Sequence, residues 1–562
     1  MKNLKKTLTI LTIIISILTI GCSTESYIEK TSEELTDDSL TAKGPNRKTP
    51  TLSDFSVPAK VVGDDPFALT APTSTSSGSF TYTSSNTAVA TIAGNVVTVV
   101  GVGTSEIKAA QAAQGNYTDG EITANLVVTD SPPTGVGTLY VSTTGNDNND
   151  GSESQPFLTI NKAAQVAVAG DVVVVKPGTY KPTLKIAPLN SGTADMPIIY
   201  QAEVKGEAII DGSESADGTK VDRRGLITID GFSASTPKSW IVIDGFTIIN
   251  AKWAGVIAIN SSNIIIQNCN TINTGSSGII GANSTNITIT NNKVEQACSI
   301  AEKAQNTNEC ITVASVVGFE IAYNTVSDRM VDLNNGGEGI DVKNASLNGT
   351  VHHNIVTNLI RVAIYVDAYQ RDLNNIDVYA NKVYNTTSGI TVASEEGGVA
   401  SNVKVHDNLV YDIQGIGIRL AGYVNNGPLK DISVYQNTVV RCGLGKTVSD
   451  WENCAFMIEA DNANNSNFIV RNNIFAECTN QIRWKNQSYA IMDNNLVFGN
   501  STTAGTNAII TDPQFVNSAG ADFKLKASSP AINKALGTPM SAIDFNDFTR
   551  DATPDIGAFE YH

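Results

Sequence analysis

The chain has 562 residues, 41% hydrophobic and 17% charged, enough for a sizeable core and for more than one domain. Its 38 basic and 55 acidic residues leave a formal net charge of −17 and a pI near 4.7. That balance excludes nucleic acid as the expected partner. It would also repel a polyanionic glycan unless cations or a local basic patch intervened.

The start, "MKNLKKTLTILTIIISILTIGC", joins a basic n-region (Lys2, Lys5, Lys6) to an apolar run ending at Gly21-Cys22. This is the form of a secretory signal rather than a membrane span. The Gly-Cys ending resembles a bacterial lipobox, with Thr19 in place of the usual Leu. The resemblance implies a lipoprotein signal over residues 1–22 and lipidation of Cys22. The mature chain would then be exported and anchored to the bacterial membrane, at the outer membrane or cell surface. An ordinary cleaved signal is the alternative. No other segment is apolar enough to span a bilayer. Residues 23–46, rich in Ser, Thr, Glu, Asp and Lys without apolar periodicity, read as a flexible linker. Over residues 47–131 short alternating strands and turn residues predict a small β-sandwich. The run "SSNTAVATIAGNVVTVVGVGTSEIKA" resembles bacterial immunoglobulin-like repeats, and nothing in it suggests chemistry. A spacer or weak adhesion module is expected there.

From Gly137 the pattern changes. "PFLTINKAAQVAVAGDVVVVKPGTY" predicts a short amphipathic helix, with Ala163, Ala164 and Val166 on one side, followed by an aliphatic strand. Beyond Lys238 a repeat dominates, as in "NITITNN", "NIDVYAN", "NVKVHDN", "DISVYQN" and "NFIVRNN". Asn292, Asn324, Asn354, Asn381, Asn408, Asn437, Asn473 and Asn495 close such units at intervals of 22 to 36 residues. Three short strands joined by bends fill that interval, so each unit predicts one coil of a parallel β-helix over residues 137–510. The recurring Asn fits an internal ladder of side-chain amides. A leucine-rich solenoid would need Leu at fixed positions and helical segments, which are missing. Residues 511–562 are expected to cover the last coils as an irregular capping tail. "GNDNNDG" lacks the acidic residue that closes an EF-hand and reads as an ordinary turn. The expected fold class is therefore all-β, a single-stranded parallel β-helix behind a small sandwich. The stretch 137–562, opening on "LYVSTTGNDNNDGSESQPFLTINKAAQ", resembles the right-handed parallel β-helix proteins of polysaccharide degradation, family-nine polysaccharide lyases and some β-helical glycosidases among them.

Six cysteines follow Cys22. Cys298 with Cys310 and Cys442 with Cys454 bracket two insertions, which makes two loop-closing disulfides plausible in an exported protein. Cys269 and Cys478 read as lone buried residues. His352, His353 and His406 fall on the Asn-ladder strand and read as surface structural residues, with no metal-ligand spacing.

Upstream of each Asn unit lies a second strand: "CITVASV", "GIDVKNA", "AIYVDAY", "GITVASE", "GIRLAGY" and "AFMIEAD". Stacking them places Ile311, Ile340, Ile364, Ile390, Ile418 and Phe456 in one inward column. Val313, Val342, Val366, Val392, Leu420 and Ile458 form the next. Strand alternation then turns Asp341, Lys343, Tyr365, Asp367, Tyr369, Glu395, Arg419, Tyr423, Glu459 and Asp461 outward. Charges interleaved with tyrosines predict a groove for a carbohydrate, since a sugar ring needs aromatic faces beside hydrogen-bonding groups. A solvated face that merely keeps the solenoid soluble is the plainer alternative.

"EGIDVKNASLN" resembles the catalytic coil of family-six polysaccharide lyases, the β-helical alginate and dermatan lyases. The resemblance implies that Glu338 ligates Ca2+ and that Lys343 is the base in β-elimination from a uronate-containing glycan. Asp367 stands where that family has an Arg, so Arg361 or Arg419 would have to supply the missing charge. The rival is a glycoside hydrolase using Asp367 and Glu395 on adjacent coils, since "IYVDAY" resembles the nucleophile strand of β-helical xylosidases. A third possibility is a tethered glycan-binding protein. The lyase is the leading expectation. Its catalytic set would be Lys343, Asp367, Glu395 and Arg419; Asp341, Arg361, Tyr365, Tyr369, Tyr423 and Glu459 would bind the polysaccharide. A monomer is expected.

Overall fold

The computed structural model describes residues 47–129, 137–216, 225–231, 237–299, 309–329, 336–423, 425–445, 452–484, 488–499 and 504–562. The signal with Cys22 and the linker to residue 46 lie outside them. The chain divides into two compact units, Met1–Thr129 and Asp130–His562.

In the first unit a four-stranded sheet (Lys60–Val61, Gly120–Thr129, Gly103–Gln111, Phe80–Ser84) and a three-stranded sheet (Phe67–Ala68, Val96–Val99, Ala90–Ala93) share one core. Val89, Ala90 and Val97 meet Ile107, Leu126 and Val128 there. Strict alternation of burial along Gly103–Gln111 sends one face inward and leaves the other partly open.

The second unit opens with a turn in which the Asp147 carboxylate accepts hydrogen bonds from Leu158 N–H (2.9 Å), Thr159 N–H (2.8 Å) and Thr159 Oγ1 (2.8 Å). Thr159 then caps the helix Ile160–Val166 by accepting from Lys162 N–H. Ile160, Ala163 and Ala164 are its buried face. Val166, predicted on that face, is 37% exposed, because it lies six residues and so about 240° around the helix from Ile160.

From Thr138–Val141 to Ile509–Ile510 the strands form one continuous parallel ladder, the coils of a right-handed β-helix. Ile311, Ile340, Ile364, Ile390, Ile418 and Phe456 stack in register, and so do Val313, Val342, Val366, Val392, Leu420 and Ile458. All are fully buried. One position before the Ile column stand Cys310, Gly339, Ala363, Gly389, Gly417 and Ala455. A Cβ on Gly389 would lie 2.1 Å from the carbonyl oxygen of Gly417, so only small residues fit this corner.

The Asn ladder is continuous. Each of Asn292, Asn324, Asn354, Asn381, Asn408, Asn437 and Asn473 donates its Nδ2 to the Oδ1 of the next, at 2.9 to 3.0 Å, ending at Asn495. Each Oδ1 also accepts a backbone N–H from the preceding coil, and Asn292 Oδ1 accepts that of Cys269, which takes the Asn place there. A second row runs along an exposed bend. Asn263, Asn286, Asn348, Asn375 and Asn402 have φ between 50° and 59°, a conformation Asn tolerates. Asn286 bonds to Asn263, and Asn402 to Asn375 to Asn348.

His352 and His406 stack with Tyr379 and Tyr435 along the ladder face. The sequence places them at the surface, but they are 7% and 8% exposed, packed against the tyrosines and flanked by tail contacts to His353 and Asp407. The tail does not simply close the last coil. It runs back along the flank, with Arg550 on Asp407 (2.6 Å), Asp547 on His353 (3.1 Å) and Ala558 N–H on Thr438 Oγ1 (2.9 Å). Phe515, Phe523 and Phe559 pack there on Tyr411, Val440 and Ile474.

The six described cysteines are all buried. Cys298 and Cys310 adjoin one another. Cys478 is not a lone residue: its Sγ accepts the N–H of Cys442 at 3.1 Å, while Cys454 packs with Ile416 and Met457.

Candidate active site

The strands Ile340–Lys343, Ile355–Asp367, Lys382–Ala393, Ile418–Leu420 and Phe456–Ile458 turn their polar columns to one side of the β-helix. Asp341, Tyr365, Thr391, Arg419 and Met457 share one column; Lys343, Asp367 and Ala393 share the next. Against this surface lies a cleft of about 360 Å³, walled by Glu338, Arg361, Tyr365, Glu395, Arg419, Tyr423 and Glu452 among others.

Outward does not mean open here. Asp341 and Asp367 are 1% and 3% exposed, and Tyr365 is 8%. Asp341, expected to bind substrate, is spent on an ion pair with Lys343 at 2.8 Å. The same ammonium lies 2.7 Å from Glu309 Oε1, while Thr312 Oγ1 donates to Glu309 Oε2 at 2.9 Å. Burial alone would depress the Lys343 pKa, but the two carboxylates outweigh it and hold the pKa well above the usual lysine value. An ammonium clamped this way is a poor base, which corrects the role expected of Lys343. Glu309 escaped the sequence reading altogether. It stands two positions before Ile311, as Glu338 stands before Ile340, so the same stacking would have found it.

Glu338 Oε1 accepts from Arg361 Nε at 3.3 Å, and its Oε2 is buried without a hydrogen-bond partner. Burial first, and then Glu309, raise its pKa. These residues do not fit a resident Ca2+. Glu309 and Asp341 already surround an ammonium, Glu338 already carries a guanidinium, and no metal-holding group of three acids, histidines or cysteines occurs among the described residues.

Asp367 and Glu395 are brought together. The carboxylate of Asp367 accepts the Glu395 N–H at 3.5 Å, and the Tyr365 hydroxyl donates to the Glu395 side chain. Glu395 opens on the cleft with Asp367 behind it. Burial, and then the charge of Glu395, push the Asp367 carboxyl up to about 7. Arg419 donates through Nε to Glu459 at 3.0 Å and lies over the Tyr423 ring, 5.2 Å from its centroid. Glu459 is thus the partner that orients Arg419, rather than a group facing a ligand. Tyr369 stands 37% exposed outside the cleft wall, because it follows the strand end at Asp367.

Two family models match parts of the chain: "Pel9A-like, right handed beta helix region" over residues 139–308 and "Disaggregatase related" over residues 373–541. The "Uncharacterized protein YwoF" of Bacillus subtilis (strain 168) is 27% identical over 451 residues, 70% of this chain and 92% of its own. "Pectate lyase PEL9" of Emericella nidulans is 37% identical over 84 residues, 15% of this chain and 20% of its own. The solved complex of XylC with xylose superposes with a TM-score of 0.52 at 12% identity, over 76% of this chain and 98% of that one, a likeness of fold. The chain thus resembles β-helical carbohydrate-active proteins.

Proposed function

We propose that this protein is a polysaccharide-degrading enzyme that hydrolyses glycosidic bonds with the carboxyl pair Asp367 and Glu395. One observation carries the proposal: two acids on adjacent coils meet beside the cleft, and their environments differ. Asp367, held up to about 7, keeps its proton near neutrality and is the general acid. Glu395 opens on the cleft and is aimed by the Tyr365 hydroxyl, so it is the carboxylate that acts at the anomeric centre, on water or on carbon. Arg419 and Tyr423, fixed against each other, offer a sugar a cationic edge and an aromatic face. The Lys343 ammonium beside Asp367 lowers its pKa in part, while Glu309 raises it.

β-Elimination from a uronate-containing glycan is the second reading. What favours it is the pair of guanidinium groups in the cleft, Arg361 and Arg419, which suit a sugar carboxylate. Export of the chain and a lipid anchor at Cys22 complete the proposal and would place the enzyme where polysaccharide is met. The experiment is a screen against xylan, pectate, alginate, glycosaminoglycans and ulvan, with reducing ends and unsaturated uronate absorbance followed separately. Hydrolysis requires saturated products and a loss of several orders of magnitude in both Asp367→Asn and Glu395→Gln. Unsaturated products would replace it with elimination. Glycan binding without turnover in the wild type would leave only a binding protein.

A further inference from the structure

Cys442 ends the strand Thr438–Cys442, which pairs in parallel with Ile474–Ala476 of the next coil. Thr438 faces Ile474 and Val440 faces Ala476, an offset of 36 residues that sets Cys442 against Cys478. Each cysteine follows a left-handed residue, Arg441 (φ 53°) or Glu477 (φ 56°), so both coils turn alike at this point. Ile413, after Asp412 (φ 55°), pairs with Cys442 from the other side and completes a column inside the β-helix. Cys442 N–H donates to Cys478 Sγ at 3.1 Å, and Thr479 N–H to the Cys442 carbonyl at 2.9 Å. Residues in register on adjacent coils lie about 4.8 Å apart, within the roughly 4.4–6.8 Å Cα separation that a disulfide spans. Cys454 belongs to a separate cluster with Ile416 and Met457.

We propose that Cys442 and Cys478 form a disulfide that staples two successive coils of the β-helix. The two thiols give up two protons and two electrons as the sulfur–sulfur bond forms. The disulfide of a thiol–disulfide oxidoreductase takes them, through a mixed disulfide, and leaves as a dithiol. Both cysteines are buried, at 0% and 8% exposure, so the exchange precedes closure of these coils. The bond requires the oxidising compartment that an exported chain reaches, and it is independent of which reaction the cleft performs.

The test uses the full-length chain expressed through its own export signal. Free thiols are alkylated in denaturant without reductant, and the protein is digested with trypsin. Arg441, Lys446, Arg471 and Arg483 place Cys442, Cys454 and Cys478 on three different peptides. The expected result is residues 442–446 linked to residues 472–483, with Cys454 alkylated. Alkylated Cys442 and Cys478, or a link from Cys454 to either of them, would overturn the proposal. As a second measurement, reduction should lower the apparent Tm of the wild type by several degrees more than that of Cys478→Ser. Equal shifts in the two proteins count against the staple.

Discussion

Replacing Asp367 by Asn should separate stability from turnover. An unfolded aspartate titrates near 3.8, whereas Asp367 in the folded chain titrates at about 7. A carboxyl whose folded pKa is raised contributes stability that is fully present below the unfolded pKa and is lost as pH rises through the folded one. The window here runs from about pH 4 to about pH 7. Each pH unit within it is worth about 1.4 kcal/mol, so the folded state loses on the order of 4 kcal/mol across the window. With Asp367 only 3% exposed, solvent does little to reduce that figure. Asn does not titrate. Asp367→Asn should therefore match the wild type near pH 4, be more stable by up to a few kcal/mol at pH 8, and turn over substrate orders of magnitude more slowly. The assay is thermal unfolding of both proteins at half-unit steps from pH 4 to 8, alongside activity at pH 6. Because Glu395 is the second cause of the raised pKa, Glu395→Gln should move the upper edge of the window down. A wild-type-minus-variant difference in Tm that stays flat over the whole range would refute the protonated Asp367.

Other perturbations test the frame around the site. Lys343→Met removes the ammonium held between the buried acids Glu309 and Asp341 and should cost about 3–5 kcal/mol at pH 7, much of it recovered on acidification, as urea unfolding at pH 4.5 and 7 would show. Asn381→Ala removes an amide bonded to Asn354, Asn408 and the Val351 and Tyr379 carbonyls. Stranding those buried partners should cost roughly 3–5 kcal/mol by the same unfolding measurement. His406 is lifted to about 9 by its hydrogen bonds to Asp377 and Asp407 against the opposing effect of burial. Its stabilisation is full below pH 6.5 and lost by about pH 9, so His406→Gln should flatten the decline in Tm over that range. Cys22→Ser should move the protein from the membrane fraction to the soluble one. A wild type already soluble would remove the anchor.

The coil architecture was legible because its signal is strict. A buried Asn amide must find its donor and acceptor on the neighbouring coils, so the Asn recurs at one place per coil and carries the register with it. The inward Ile and Val columns follow from that register without further information. Depth was not legible. Alternation fixes the side of the strand to which Asp341 points, but not that Lys343 and the flanking columns bury it to 1%. Its own type makes Lys343 a candidate base, but two carboxylates decide its protonation: Asp341 on the same strand and Glu309, 34 residues upstream. The cysteines make the same point. Sequence proximity suggested Cys442 with Cys454, but in a solenoid the neighbour of a residue is the one a whole coil away.

A stack whose coils touch only their neighbours can open one layer at a time from an end. The tail changes this between His353 and Asn494. Arg550 joins Asp407 across 143 residues of sequence, and the Lys534 carbonyl accepts from Asn494 of the closing coils. Coils bridged by one strap have to come apart together, so amide hydrogens along the floor of the cleft should exchange through a single large opening. Upstream, around Ile241 to Ile287, exchange should instead grade from coil to coil. The strap thus turns a linear array of weak layers into a platform on which Asp367 and Glu395 keep their spacing.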